Sequence, residues 1–264
     1  MITVFIGFLI LGAVAGFLAG LFGIGGGMII VPTLVWLLPK IGVPDDLLMS
    51  IALGTSFSTI VITTFSAAQR HNKLGNVEWG VAKVFVPALM VAVFVSGLIV
   101  SDLPKEIMMK IFAVMVLYLS LKMVFSLKQQ NTETKPLTTQ SMLVAGGVIG
   151  VLSSLAGIAG GAFIVPFLNG RGIELKRAIG TSSLCGGLLG LAGTLSFIFS
   201  GWATPNLPAY SLGYVYLPAL IGIVATSFFT SKLGANAANV LPVPVLKKAF
   251  AVMLMLIALN MFLK

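Results

Sequence analysis

Long apolar runs with few charged residues constrain this chain more than any other feature of its sequence. Eight such runs lie at residues 2–38, 47–68, 78–100, 106–127, 142–168, 177–199, 209–230 and 246–263. Most have about the 20 residues that an α-helix needs to cross the hydrocarbon core of a bilayer. Only 9% of the 264 residues are charged, too few to coat a soluble domain of this length. The sequence therefore predicts an all-α polytopic membrane protein. It excludes a soluble enzyme, a disordered chain and a nucleic-acid partner.

Two of the runs, 2–38 and 142–168, are too long for one crossing, and glycines interrupt both. The interruptions are Gly23-Ile-Gly-Gly-Gly27 and Gly157-Ile-Ala-Gly-Gly161. We expect each long run to form two helical arms around a break. Three further spanning helices should follow the broken segment in each half of the chain.

The two halves of the chain are copies of each other. Four motifs occur in the same order in both halves: Gly16-Phe-Leu-Ala-Gly-Leu-Phe-Gly-Ile-Gly-Gly-Gly-Met-Ile-Ile-Val-Pro-Thr-Leu34 with Gly150-Val-Leu-Ser-Ser-Leu-Ala-Gly-Ile-Ala-Gly-Gly-Ala-Phe-Ile-Val-Pro-Phe-Leu168, Ala52-Leu-Gly-Thr-Ser56 with Ala178-Ile-Gly-Thr-Ser182, Val86-Pro-Ala-Leu89 with Leu217-Pro-Ala-Leu220, and Phe112-Ala-Val-Met115 with Phe250-Ala-Val-Met253. An ordered series of matches indicates internal duplication. The sequence predicts a first transmembrane repeat at 1–127, a polar cytoplasmic linker at 128–141 and a second repeat at 142–264.

The basic residues between the runs predict how the repeats are oriented. Most of them lie in four connecting stretches, around 69–77, 122–135, 169–177 and 231–248, whereas the remaining loops carry only Lys40 and Lys105. Basic loops stay in the cytoplasm. All four stretches can do so only if 142–168 begins and ends on the same side of the membrane, which makes the halves inverted repeats. The alternative is eight simple crossings with parallel repeats, which divides the basic loops between the two sides.

The glycine breaks are the first candidate for a binding site. A helix that restarts after a break points its backbone N–H groups and the positive end of its dipole at whatever lies before it, which suits an anion. On this interpretation Gly26, Gly27, Gly160 and Gly161 bind substrate. The alternative is that small residues only allow close helix packing.

A pair of hydroxyl residues in each half is the second candidate. Thr55 and Ser56 lie about eight residues into the run at 47–68, roughly 12 Å from its start, and their copies Thr181 and Ser182 lie about four residues into the run at 177–199. Their hydroxyls can donate to an anion. The alternative is that they bond to the backbone carbonyl four residues earlier, as is common in membrane helices.

Other chemistry has little support in the sequence. No charged residue or histidine lies in the middle of an apolar run, so a proton relay across the membrane is not predicted. The chain has one cysteine, Cys185, and one histidine, His71, and it offers no catalytic set. We expect neither an enzyme nor a metal site nor a cofactor.

Taken together, these residues resemble the sulfite exporter TauE/SafE family of membrane permeases. The resemblance depends on Gly20-Leu-Phe-Gly-Ile-Gly-Gly-Gly-Met-Ile-Ile-Val-Pro32, on Ala52-Leu-Gly-Thr-Ser56 and on Arg70-His-Asn-Lys-Leu-Gly-Asn-Val-Glu-Trp79, and it covers essentially the whole chain. The second half departs from the pattern at Ala159, where the first half has Gly25.

The resemblance implies secondary transport of a small sulfur-containing anion such as sulfite, a sulfonate (sulfoacetate) or thiosulfate across the cell membrane. A passive anion channel and a non-transporting membrane subunit or assembly factor are the alternatives. The expected partners are the anion and the lipid bilayer. The sequence leaves open which anion is carried, in which direction, and whether the protein forms a homodimer.

Overall fold

The computed structural model describes residues 2–126 and 136–242, together with Val252. The predicted run at 246–263 and the motif at 250–253 thus lie outside the described residues, apart from Val252. The helices are α1 (Ile2–Phe22), α2 (Gly27–Leu37), α3 (Leu48–Lys73), α4 (Trp79–Val100), α5 (Lys105–Ser126), α6 (Thr139–Ala156), α7 (Gly161–Asn169), α8 (Leu175–Gly201) and α9 (Leu217–Val240). Two short 3₁₀ helices, Leu38–Ile41 and Asp45–Leu47, connect α2 to α3. A small antiparallel pair, β1 (Ser211–Leu212) and β2 (Val215–Tyr216), precedes α9.

Six of the described helices are long and apolar enough to cross a membrane: α1, α3, α4, α6, α8 and α9. This confirms the predicted all-α, multi-pass membrane architecture.

Both long apolar runs are broken at their glycines, as the sequence predicts. Gly23, Gly25 and Gly26 have φ of 70°, 74° and 79°, and Gly157 and Gly160 have φ of 59° and 70°. An α-helix needs φ near −63°, so the chain cannot continue as a helix through these positions. The breaks therefore separate α1 from α2 and α6 from α7.

Two helix ends differ from the boundaries of the apolar runs. The α6 helix begins at Thr139, inside the predicted linker, because Thr138 and Ser141 form a capping box there. The α3 helix continues to Lys73, so residues 69–73, which we expected in a loop, form its last turn. Hydropathy marks where a helix leaves the membrane, whereas capping decides where the helix ends.

Corresponding helices of the two halves make reciprocal contacts. The α1 helix packs along α9, and its counterpart α6 packs along α4; α3 contacts α9, and α8 contacts α4. Three glycines of α1 leave no room for a side chain where this helix meets α9. A β-carbon at Gly12, Gly16 or Gly20 would lie 2.1, 2.4 or 1.9 Å, respectively, from the nearest atom of α9. Glycine thus permits close packing of these two helices. Each half contributes an outer helix that packs on the other half.

The α3 and α8 helices form the centre of the molecule and run in opposite directions. Gly187 lies against Phe65, Gly190 against Val61 and Gly193 against Phe57. Residue numbers thus rise along α8 in the direction in which they fall along α3, so the two helices are antiparallel. Almost all of the membrane-spanning part of α3 is buried, whereas most residues of α4 and α9 are not. The many hydroxyl side chains of α3 explain its place, because a lipid-facing helix could not satisfy those that need a partner.

Candidate functional site

The two glycine breaks contact each other at the middle of the molecule. A β-carbon at Gly27 would lie 2.2 Å from the carbonyl oxygen of Gly157, and one at Gly161 would lie 2.0 Å from the carbonyl oxygen of Gly23. The break in the first half also lies against Ile60, midway along α3. Only glycine allows the backbones to approach this closely. Of the predicted glycines, Gly27 and Gly161 each contact the break of the other half, whereas Gly26 faces Ala15 and Gly160 faces Ser153, Ile164 and Leu189 of their own halves.

The two predicted serines hold the break carbonyls of the opposite half. The Ser56 hydroxyl donates to the carbonyl oxygen of Gly157 at 2.8 Å, and the Ser182 hydroxyl donates to that of Gly23 at 3.0 Å. Both carbonyls lie at the end of a helix, where no further turn supplies a backbone donor. Each serine thus satisfies an otherwise unpaired carbonyl and uses its only hydroxyl hydrogen to do so.

The two predicted threonines cap helices of the opposite half. The Thr55 hydroxyl accepts the backbone N–H of Tyr216 at 3.0 Å, and the Thr181 hydroxyl accepts that of Glu78 at 2.9 Å. Tyr216 and Glu78 are the residues that precede α9 and α4. Within the described part of the chain, neither threonine donates its own hydroxyl hydrogen to another residue. The threonines therefore retain a donor that the serines have already used.

The glycine before each threonine makes room for the opposite loop. A β-carbon at Gly54 would lie 2.6 Å from the carbonyl oxygen of Tyr214, and one at Gly180 would lie 2.1 Å from that of Asn76. The Gly-Thr-Ser motif thus receives the loop that leads into the fourth helix of the other half, and sequence alone did not indicate this role.

The structure does not bring the two threonines together. Gly54 faces Phe197 near the end of α8, whereas Gly180 faces Asn76, which follows the end of α3. Thr55 and Thr181 therefore lie towards opposite ends of the α3–α8 crossing, with the glycine breaks between them. The two serines, Gly27 and Gly161 meet at the carbonyls of Gly23 and Gly157, whereas the two threonines contact the loops on either side.

The helices that restart after the breaks present free backbone donors. Gly26 and Gly160 precede α2 and α7 in a left-handed conformation, and neither helix has a side-chain cap. No acceptor among the described residues pairs with the N–H groups of the first two positions of either helix, Gly27 with Met28 and Gly161 with Ala162. Unpaired N–H groups at a helix N-terminus favour an anion. This arrangement can bind an anion without a buried cation.

One end of the α3–α8 crossing is rich in cations. Arg177 pairs with Glu78 at 2.7 Å, Lys176 donates to the backbone of Asn239 at 2.7 Å, and Arg70 donates to the Asn236 side chain. Because α3 and α8 run in opposite directions, these groups share one end of the molecule. Cations at the mouth of a pathway raise the local concentration of anions. At the opposite end lies Tyr216, where burial raises the pKa of the phenol.

Two buried polar residues were missed by sequence analysis. Ser153 is fully buried, and its hydroxyl has no partner among the described residues. His71 is buried too; its Nε2 lies 3.0 Å from the carbonyl oxygen of Gly20, and its Nδ1 has no partner in the described structure. The sequence does mark Ser153 as a difference between the repeats, because its counterpart in the first half is Ala19. Whether its hydroxyl has a hydrogen-bond partner is visible only in the packed structure.

The fold is that of a multi-pass helical membrane protein. Comparison with known proteins identifies its class as membrane transporters rather than enzymes. The chain matches the family described as sulfite exporter TauE/SafE over residues 8–261. It belongs to the TauE/SafE family.

Several relatives carry the description "probable membrane transporter protein". One from Haemophilus influenzae is 60% identical over 97% of each chain. One from Methanocaldococcus jannaschii is 28% identical over 86% of this chain and 83% of its own length. The YunE protein of Bacillus subtilis is 27% identical over 88% of this chain and 87% of its own. No solved structure matches the chain.

Proposed function

We propose that this protein is a secondary transporter for a small sulfur-containing anion, such as sulfite, a sulfonate (sulfoacetate) or thiosulfate, bound between the two repeats. One observation carries the proposal. The two glycine breaks meet at the buried centre, and both present N–H groups there that have no acceptor among the described residues, at Gly27 and Gly161 among others. Family membership supports sulfur anions as the substrates.

The donor set favours an oxyanion. Backbone N–H groups at the breaks and the spare hydroxyl hydrogens of Thr55 and Thr181, one on either side of the breaks, are all neutral donors. An oxyanion offers several oxygens to receive these donors in turn as it crosses the protein. Neutral donors bind an anion and also let it leave, which a carrier requires. The cations at the Arg177 end supply attraction without entering the centre.

The proposed transporter has inverted repeats. Equivalent helices of parallel repeats point in the same direction, whereas equivalent helices of inverted repeats point in opposite directions. The opposite directions of α3 and α8 support inversion. With this topology, the loops after α3 and after α7 are cytoplasmic and the loop after α2 is external.

Uptake into proteoliposomes tests the proposed function. The substrate panel is sulfite, thiosulfate, sulfoacetate, taurine, sulfate and chloride, each with and without a pH gradient. A carrier should show saturable uptake of a sulfur oxyanion and counter-transport from preloaded vesicles. Uptake without saturation or counter-transport would indicate a channel, and no uptake of any anion would refute the proposal.

Threonine variants in the same assay test the hydroxyl donors. Thr55→Val and Thr181→Val remove a hydroxyl at constant shape, whereas Thr55→Ser and Thr181→Ser retain it. A lost bond to a charged ligand costs about 1.5–3 kcal/mol, so the valine variants should raise KM about 10- to 150-fold and the serine variants should not. Both valine variants also lose the cap on Tyr216 or Glu78, so the melting temperature must be measured alongside. A lower melting temperature with unchanged KM would make the hydroxyls purely structural.

A further inference from the structure

The hydroxyl of Ser153 differs from the other buried hydroxyls of its helix and of the central helices. Ser154 donates to the carbonyl oxygen of Val151 at 2.8 Å, Ser183 to that of Ile179 and Ser58 to that of Gly54. Such local bonds are the usual way for a membrane helix to satisfy a serine. Ser153 makes none of them, although its side chain is fully buried, so no described residue uses its hydroxyl hydrogen.

Ser153 lies beside the start of α7. A β-carbon at Gly160, the residue that precedes α7, would lie 3.1 Å from the Ser153 Oγ and 3.2 Å from side-chain carbons of Ile164 and Leu189. The next N–H groups along the chain, those of Gly161 and Ala162, have no acceptor among the described residues. A hydroxyl without a described partner thus lies beside the residue that precedes these N–H groups, in apolar surroundings where hydrogen bonds to a charged ligand are strong.

The first half of the chain lacks this hydroxyl. The residue equivalent to Ser153 is Ala19, and a β-carbon at Gly26 would meet the backbone and side chain of Ala15 instead. The two breaks, although reciprocal in their backbone contacts, are therefore not equal as binding sites.

We infer that the bound oxyanion lies to one side of the centre, at the start of α7, where Ser153 donates a hydrogen bond to one of its oxygens. This inference rests on the proposed transport function. Among the described residues, the only histidine or charged side chain that is fully buried is His71, which lies on α3 against α1. A site made of neutral donors stabilises one negative charge more readily than two, because the desolvation cost of an ion grows with the square of its charge. The substrate class is therefore a singly charged sulfur oxyanion, such as a sulfonate or bisulfite.

Anion-dependent thermal stabilisation of the purified protein in detergent tests the inference, with methanesulfonate and sulfate as probes. Wild type should bind methanesulfonate more tightly than sulfate. Ser153→Ala should weaken methanesulfonate binding about 10- to 150-fold, the effect of one lost bond to a charged ligand. Ser154→Ala is the matched control and should bind within about twofold of wild type, because it removes a neighbouring buried hydroxyl that is already paired.

The melting temperature without anion separates binding from structure. Ser153→Ala should melt no lower than wild type, since it removes an unpaired polar group. Ser153→Cys, which keeps the volume but donates weakly, should lose affinity as well. Wild-type affinity in both variants would overturn the inference while the proposed function stood. If the wild-type protein neither bound nor transported any of the anions, both the inference and the proposed function would be overturned.

Discussion

At the scale of single residues, Gly25 and Ala159 explain the one mismatch between the two glycine motifs. These equivalent positions face each other, and a β-carbon at Gly25 would lie 2.3 Å from the β-carbon of Ala159. Equivalent residues that touch lie on an approximate two-fold axis, where only one of them has room for a methyl group. Gly25 also has φ of 74°, which alanine tolerates poorly. The mismatch therefore follows from packing rather than from drift between the repeats.

Exchanging the methyl group between these residues provides a test. Gly25→Ala should destabilise the protein by about 2–4 kcal/mol, from the clash together with the left-handed backbone. Ala159→Gly should cost about 1 kcal/mol. In the double variant the clash is absent, so its cost should be less than the sum of the two single changes. Unfolding in detergent measures all three, and strictly additive effects would show that the two positions do not interact.

At the scale of helices, the two glycine breaks form a polar contact that connects the two halves. Each break carbonyl receives a serine hydroxyl from a central helix of the other half, and the first N–H groups of each restarting helix have no acceptor in the described part of the chain. Helix continuity would remove both features. The interruption of α1 and α6 is therefore what provides the halves with a polar contact in the centre of an apolar molecule.

Replacing a glycine of a break by alanine should disrupt this contact between the halves. Gly161→Ala places a methyl group 2.0 Å from the carbonyl oxygen of Gly23, so the backbones must separate. We expect a loss of about 1–3 kcal/mol in stability and most of the transport activity. Gly147 in α6 is the matched control, because a β-carbon there meets nothing within 4 Å.

The control should keep full activity. Gly147→Ala should also gain about 0.5–1 kcal/mol from helix propensity. Unfolding in detergent and proteoliposome uptake measure both variants. Equal behaviour of Gly161→Ala and Gly147→Ala would mean that close approach of the breaks is dispensable.

At the scale of the whole molecule, the relative directions of the helices support the inverted-repeat topology that we propose. The α1 and α9 helices run in the same direction, since Gly12 faces Ile223, Gly16 faces Ser227 and Gly20 faces Ser231, whereas α3 and α8 run in opposite directions. The inverted repeats that we propose account for both relations. On this proposal the cationic end of the α3–α8 crossing faces the cytoplasm, in agreement with the positive-inside rule.

Labelling of single cysteines tests this topology in a Cys185→Ala background. Cysteines at Lys40 and Asp102 should react with an impermeant reagent from outside, and those at Lys73 and Glu174 only after the membrane is opened. All four side chains are exposed in the structure. Positions 40 and 174 follow the broken segment in each half, so labelling of both from the same side would establish parallel repeats instead.

Local features of the sequence were enough to predict the membrane class, the two breaks and the duplication. Hydropathy over 20 residues identifies a spanning helix, and a glycine cluster interrupts one, whatever the rest of the chain does. The same local features placed Gly27, Gly161, Ser56 and Ser182 among the candidate site residues, because the repeat drew attention to them.

Only the tertiary structure decided what those residues contact. Ser56 bonds to a residue 101 positions away, and Ser182 to one 159 positions away, and no local pattern encodes such partners. Thr55 and Ser56 are neighbours in sequence, yet one caps a helix and the other holds a break. For the same reason, Ser153 lacks a partner among the residues that the structure describes, and His71 is buried. Whether a polar group in an apolar helix finds a hydrogen-bond partner depends on which helix packs beside it. That packing arrangement is stabilised by contacts throughout the molecule, which no local stretch of sequence specifies.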